Sequence, residues 1–251
     1  MKVIFHQRFH EVYTFDPASA EGRMKSITGA LKDIYKFIEP EPASIEDIRL
    51  VHGDLHVRSV SHQQHIYEIA RLAAGAAIEA AQSAFTGEPA FGLIRPPGHH
   101  ASPDSCWGFC YFNNIAIAVR KLLAEQKIKR AFILDFDLHF GDGTANIFGG
   151  SANVDYFHPK GIHRFDFLDN IRNKLNTNNE YDIIAVSAGF DRHEDDWGGM
   201  LTTGDYKTIG VLLKDFAVKK CEGRRFGVLE GGYNHFVLGL NVKSFLEGFG
   251  N

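Results

Sequence analysis

Seven short apolar runs alternate along this chain with longer segments of helical character, and that alternation limits the fold more than any other feature. The runs cover residues 2–6, 48–52, 91–95, 131–137, 154–157, 182–187 and 226–229. Helical patterns fill 21–38, 64–85, 113–125, 166–175, 205–220 and 236–249, the second with an Ala-rich middle. Strands that trade places with helices pair in parallel, so the expectation is an α/β fold with a mostly parallel central sheet and helices on both faces. At 251 residues, with no internal repeat, low-complexity tract or linker, residues 1–251 are expected to form a single domain.

In such sheets, ligands bind outside the C-terminal ends of the strands. Four runs lead into polar chemistry at that end. They open onto Pro-Pro-Gly98-His99-His100, Asp135-Phe-Asp-Leu-His139, Ser187-Ala-Gly-Phe-Asp191 and Glu230-Gly-Gly-Tyr233. If the topology holds, all four converge on one rim.

The segment Ala131-Phe-Ile-Leu-Asp-Phe-Asp-Leu-His-Phe140 starts as a buried strand and ends with Asp135, Asp137 and His139 spaced two apart. On a strand this spacing puts the three polar groups on one face. Ionised carboxylates at the end of a core strand are costly unless paired or metal-bound. Asp137, His139 and Asp191 therefore make a three-ligand set for zinc, with a position left for water or substrate. Two carboxylates and one imidazole are harder than the usual zinc donors, so Fe2+ or Co2+ is also admissible. The adjacent His99 and His100 suit separate partners, a water at the metal and an orienting carboxylate. Asp135 and Asp142 are each able to accept from a ring N–H. Tyr233, after two glycines, is placed to offer a phenol to a developing oxyanion.

Composition excludes several classes. The formal net charge is −4 with no basic block, which gives no support to nucleic-acid binding. No apolar run approaches the ~18 residues of a membrane span. The N-terminal residues are too broken by His, Arg and Glu for a signal peptide. Cys106, Cys110 and Cys221 make no disulfide framework, which suggests a reducing cytoplasm, and Cys106 and Cys110 are read as core thiols rather than ligands.

Five segments, in order, resemble the histone deacetylase superfamily: Arg95-Pro-Pro-Gly-His-His-Ala101, Gly108-Phe-Cys-Tyr-Phe-Asn-Asn114, Leu134-Asp-Phe-Asp-Leu-His-Phe-Gly-Asp-Gly-Thr144, Ser187-Ala-Gly-Phe-Asp191 and Leu229-Glu-Gly-Gly-Tyr-Asn234. The resemblance implies an arginase/deacetylase fold and a zinc-dependent amidohydrolase, of the prokaryotic deacetylase or acetylpolyamine amidohydrolase group. It makes Asp137, His139 and Asp191 the zinc ligands and His100 the general base and then acid. His99 becomes an electrostatic partner, Asp135 orients His99, Asp142 orients His100, and Tyr233 polarises the acyl carbonyl. Gly108, Phe109, Trp197, Gly231 and Gly232 are the expected substrate-binding residues, with Phe109 as one tunnel wall. A potassium ion held by the backbone carbonyls of Asp135, Asp137 and His139 is a further expectation.

Three departures from the family pattern bear on specificity. The stretch after His158 is short and lacks an evident second aromatic wall, for which Phe165 or Phe167 is the substitute. Asp196-Trp-Gly-Gly199 puts Trp197 where relatives carry a pocket Leu, and Phe140 follows the ligand His139 where another His is common. A shallow, open site is expected, for an acylated lysine peptide or a small acylated amine. Acetylpolyamines are the alternative, with Glu194, Asp195 and Asp196 as rim acids. A binding protein that recognises acylated ligands without turnover is a further reading. An arginase-like ureohydrolase lacks a second metal-ligand set. The sequence gives no oligomeric state.

Overall fold

The computed structural model describes residues 1–176 and 178–250. Its centre is a seven-stranded parallel sheet in the order β2-β1-β3-β7-β6-β4-β5. The strands are β1 (Lys2–Ile4), β2 (Phe37–Ile38), β3 (Ala90–Gly92), β4 (Ala131–Asp135), β5 (Val154–Phe157), β6 (Ile183–Ala188) and β7 (Arg225–Leu229). Every residue of β4, β6 and β7 is buried. Since successive side chains point to opposite faces, both faces of the central strands are covered, as a parallel sheet requires.

The helices that cover it are α1 (Arg23–Leu31), α2 (Ile45–Arg49), α3 (Asp54–Ser61), α4 (Gln64–Phe85), α5 (Asn114–Ala124), α6 (Asp142–Phe148), α7 (Arg164–Leu175), α8 (Thr203–Lys220) and α9 (His235–Gly250). One packed group joins α4 to α3 and α5, and another joins α8 to α7 and α9, and α9 to α1. The Ala-rich middle of α4 lets the segment after Glu41 lie directly on it. A Cβ at Gly75 would fall 1.9 Å from the Glu41 carbonyl oxygen, so only glycine fits there. Beside the sheet, Phe136, Phe190, Tyr206 and Phe245 form one buried aromatic cluster with ring centroids 4.9 to 6.2 Å apart. No helix among the described residues is long and apolar enough to cross a membrane.

Three expectations need correction. Residues 48–52 are not a strand. Ser44 and Asp47 cap each other's backbone in a capping box, and Ile48 with Val51 lies on one buried side of the helical turn that follows. The helix expected over 21–38 stops at Leu31, and Phe37 and Ile38 pair with β1 instead. β4 ends at Asp135 rather than 137, and α6 starts at Asp142, outside the expected helical segments.

His52, at the end of that misread run, ties two site-bearing segments together. Its Nε2 accepts from the Asn113 N–H at 2.9 Å, so the ring proton sits on Nδ1, which donates to the Ser102 carbonyl at 3.0 Å. Asn113 caps α5 and donates to the Ala101 carbonyl, so the loop carrying His99 and His100 is pinned from two sides. Burial, with His56 nearby, pushes the His52 pKa from 6.5 down to about 3. The unfolded chain therefore takes up this proton below pH 6.5 while the folded chain does not, and stability falls with pH across that window. The slope is at most about 1.4 kcal/mol per pH unit. His52→Gln, compared with wild type by urea melts between pH 4 and 6.5, should show a shallower loss of stability; parallel slopes would contradict this.

Candidate active site

β4, β6 and β7 end side by side, and local turns after β4 and β6 aim three candidate ligands at one point. Asp135 Oδ1 accepts from the Asp137 N–H at 3.2 Å, and Asp137 Oδ1 accepts from the His139 N–H at 2.9 Å. Each carboxylate thus bonds the backbone two residues on, a turn that Asp favours. The two-residue spacing works through these turns and not through strand alternation. Ligand atoms of Asp137, His139 and Asp191 all lie within 4.8 Å of one another. His139 Nδ1 is 3.3 Å from Asp137 Oδ1 and 3.3 Å from Asp191 Oδ2. The Gly231 N–H donates to Asp137 Oδ2 at 2.8 Å, and a Cβ there would come within 2.6 Å of both carboxylates.

This group fits a cation. Asp191 Oδ1 accepts from the Leu138 N–H at 3.0 Å, but the buried Oδ2 has no hydrogen-bond partner among the described residues, since His139 lies off the bonding direction. A buried carboxylate oxygen left without a donor is costly unless a cation meets it. Burial, with Asp137 alongside, pushes the Asp191 pKa up to about 6. Contacts with Asp137 and Asp191 push that of His139 up to about 10. A divalent cation competes here with a proton. The donor set suits zinc or a harder divalent ion, with three protein ligands.

His99, Cys110 and Glu230 also bring ligand atoms within 4.8 Å of one another. Here the groups are already engaged. Glu230 Oε2 accepts from the N–H groups of Gly98 and His99 at 2.7 and 3.3 Å, and Oε1 accepts from Ser187 Oγ at 3.2 Å. Burial pushes the Cys110 thiol up, away from the thiolate a metal needs. Cys110 is buried, as a core thiol should be, but Cys106 is exposed and is not one.

The two histidines separate by environment. Their rings lie 4.1 Å apart, yet each has its own carboxylate. His99 Nδ1 meets Asp135 Oδ2 at 3.0 Å, and His100 Nδ1 meets Asp142 Oδ1 at 2.6 Å. Carboxylates accept, so each Nδ1 carries a proton and each Nε2 is left for other work. Burial alone would push His99 down, but the Asp135 and Asp137 charges outweigh it and hold the pKa well above the ordinary range. Burial and the neighbouring His99 lower that of His100, despite Asp142. His99 is thus held protonated, and His100 neutral.

A cavity of about 110 Å³ opens over these groups, lined by His99, His100, His139, Tyr233 and the aromatic residues Trp107, Phe109 and Trp197, with Gly108 and Gly231 in its wall. Gly232 is not among the lining residues; its carbonyl turns away to accept from Arg23 Nε at 2.8 Å. Neither Phe165 nor Phe167 reaches the cavity. Phe165 is 68 % exposed, and Phe167 is buried against Arg192. Trp197 instead stacks on Tyr233 with ring centroids 4.0 Å apart. Asp196 Oδ2 accepts from the N–H groups of Tyr233 and Asn234, both at 2.8 Å, and so fixes the turn that carries the phenol.

Several residues that shape the site lie outside the roles that the motifs imply. Trp107 lies 4.0 Å from the His100 ring and donates from Nε1 to Asp142 Oδ2 at 2.9 Å. Tyr156 donates to Asp135 Oδ2 at 2.9 Å and accepts from the Gly141 N–H at 3.0 Å. Glu230 stood in a motif, but its grip on the His99 loop left no local signal.

Residues 17–167 match the Histone deacetylase domain family. The chain is 30 % identical to a "Probable deacetylase" of Methanothermobacter thermautotrophicus over 98 % of this chain and 90 % of the relative. It is 32 % identical to a "Histone deacetylase-like amidohydrolase" of Pseudomonas aeruginosa over 72 % of this chain and 59 % of that one. Among solved structures, the HDA15 HD domain superposes with a TM-score of 0.82 at 23 % identity, covering 99 % of this chain and 88 % of its own.

Zinc should stabilise the metal-free chain, by about 2.7 kcal/mol at a free concentration one hundred times its dissociation constant. Asp191→Asn should abolish most of that gain while leaving the fold's circular dichroism unchanged. An equal zinc-induced shift in both proteins would exclude Asp191 as a ligand.

Proposed function

Because the chain belongs to the histone deacetylase domain family, we propose that it is a zinc-dependent amidohydrolase that removes acetyl or other short acyl groups from N-acylated amines, acyl-lysine side chains foremost. The observation that carries this reading is the pairing of two carboxylate-backed histidines with a three-ligand metal set around one cavity. A molecule that only bound acylated ligands would have no use for the acid–base pair.

A zinc ion held by Asp137, His139 and Asp191 would supply Lewis acidity toward the acyl oxygen and lower the pKa of a water toward about 7. The rest is the chain's own chemistry. His100, neutral and backed by Asp142, accepts the proton of the attacking water at Nε2. His99 keeps its positive charge beside the reacting centre. Burial, with Asp137 nearby, raises the Tyr233 pKa, so the phenol stays protonated and donates to the acyl oxygen as charge builds there. When the C–N bond breaks, His100 returns its proton to the departing amine. The products are a carboxylic acid and a free amine.

The walls favour a slender substrate. Phe109, Trp107 and Trp197 offer apolar surface to an aliphatic stem, and the small cavity suits a short acyl group. Glu194 and Asp195 are exposed beyond Asp191, which keeps acetylpolyamines as the second substrate class. Asp196 is less suited to that rim role because its Oδ2 is committed to the Tyr233 turn.

Metal-depleted and zinc-restored protein should be assayed on acyl-lysine peptides, acetylpolyamines and small acetamides. Activity should vanish and return with zinc and be highest on the peptides. Preference for long N-acetylpolyamines over every peptide would overturn the substrate assignment. Tyr233→Phe should lower kcat about 10²- to 10³-fold with zinc content unchanged. Near-wild-type hydrolysis by that variant would remove the phenol from the mechanism.

A further inference from the structure

Behind the metal ligands, three successive main-chain carbonyls turn toward a side chain that the chemistry above does not use. Arg192 follows the ligand Asp191 and is 6 % exposed. Its Nε donates to the carbonyls of Phe136 and Asp137 at 3.2 and 3.1 Å, and its Nη2 donates to that of Leu138 at 3.2 Å. Nη2 also lies 3.2 Å from His158 Nε2, and the guanidinium carbon sits 4.5 Å over the Phe167 ring. No carboxylate is a hydrogen-bond partner of this guanidinium among the described residues.

Burying a full positive charge is expensive, and here its donors go to peptide dipoles and one imidazole. Those dipoles belong to the segment that carries Asp137 and His139. One stretch of chain thus supplies a ligand through Asp191 and grips the other two through the next residue. A planar fork with several donors can span three carbonyls in a fixed geometry, which an ammonium point charge cannot. Carbonyls converging on a positive charge are also what a monovalent ion would need. The Asp137 carbonyl, one of three expected to hold potassium, already accepts from Arg192 Nε.

We propose that Arg192 is a tethered cation, a positioning residue that locks the 136–139 segment so that Asp137, His139 and Asp191 meet, and that it replaces a free monovalent ion in this role. The proposal rests on the metal-site reading of those three residues. Two consequences follow. Metal affinity in the wild-type chain is indifferent to the monovalent salt present, and loss of the guanidinium creates a dependence that was not there.

The test is zinc affinity of the full chain, by competition with a chromogenic chelator, in potassium, sodium or tetramethylammonium chloride of equal ionic strength. Wild type should bind zinc equally in all three. Arg192→Ala in tetramethylammonium should bind about 10- to 100-fold more weakly, the usual cost of losing a partner that orients metal ligands. Added guanidinium or potassium should restore it, a rescue that merely structural damage would not show. Arg192→Lys should fall between the two. A wild-type affinity that drops when potassium is withdrawn would overturn the proposal, and so would a folded Arg192→Ala that binds as tightly as wild type. If that variant does not fold, the wild-type salt series decides alone. Zinc uptake that needs potassium would defeat this inference only, whereas no uptake in any salt would defeat the metal-site reading and this inference with it.

Discussion

Four carboxylates, Asp135, Asp137, Asp191 and Glu230, are buried together where β4, β6 and β7 end, and the surrounding structure is organised around compensating them. Left unpaired, any one would cost more than a domain of this size can carry. Each is met differently. Asp135 is held by His99 and Tyr156, Glu230 by the amides of Gly98 and His99, and Asp137 by the amides of His139 and Gly231. Only Asp191 keeps an oxygen with no hydrogen-bond partner among the described residues, and that oxygen faces the His139 imidazole. The arrangement selects a site for a cation.

The same demand for compensation sorts the two adjacent histidines into different charge states. His99 sits among Asp135, Asp137 and Glu230 and is held protonated. His100, one residue on, has the half-exposed Asp142 behind it, with Trp107 donating to that carboxylate's other oxygen. A carboxylate shared with an indole N–H is a weaker electrostatic partner than one held for the imidazole alone. Trp107 thus touches His100 through stacking and through its carboxylate partner at once.

Much of this was legible in the chain. The three-dimensional adjacency of strand ends follows from the parallel topology, so motifs far apart in sequence could be placed on one rim before any coordinates. That Asp137, His139 and Asp191 come together was readable because the cost of burying a charge is local to each strand end. Trp107, Tyr156 and Arg192 were not, because each acts on a partner that chain connectivity does not bring near. Trp107 reaches Asp142, Tyr156 reaches Asp135, and Arg192 reaches the carbonyls of residues 136–138. The misread run at 48–52 failed for another reason. Its apolar residues satisfy a short strand pattern, and the reciprocal cap at Ser44 and Asp47 decided for a helical turn. Phe165 and Phe167 fit a wall by position alone; Phe165 is exposed and Phe167 is buried beneath Arg192, so neither ring lines the cavity.

The most direct measurement is diffraction from zinc-replete crystals at the zinc absorption edge. The account predicts one strong anomalous peak within about 2.0–2.2 Å of an oxygen of Asp137, Nδ1 of His139 and an oxygen of Asp191. A peak elsewhere in the chain, or none among these three side chains, would contradict it.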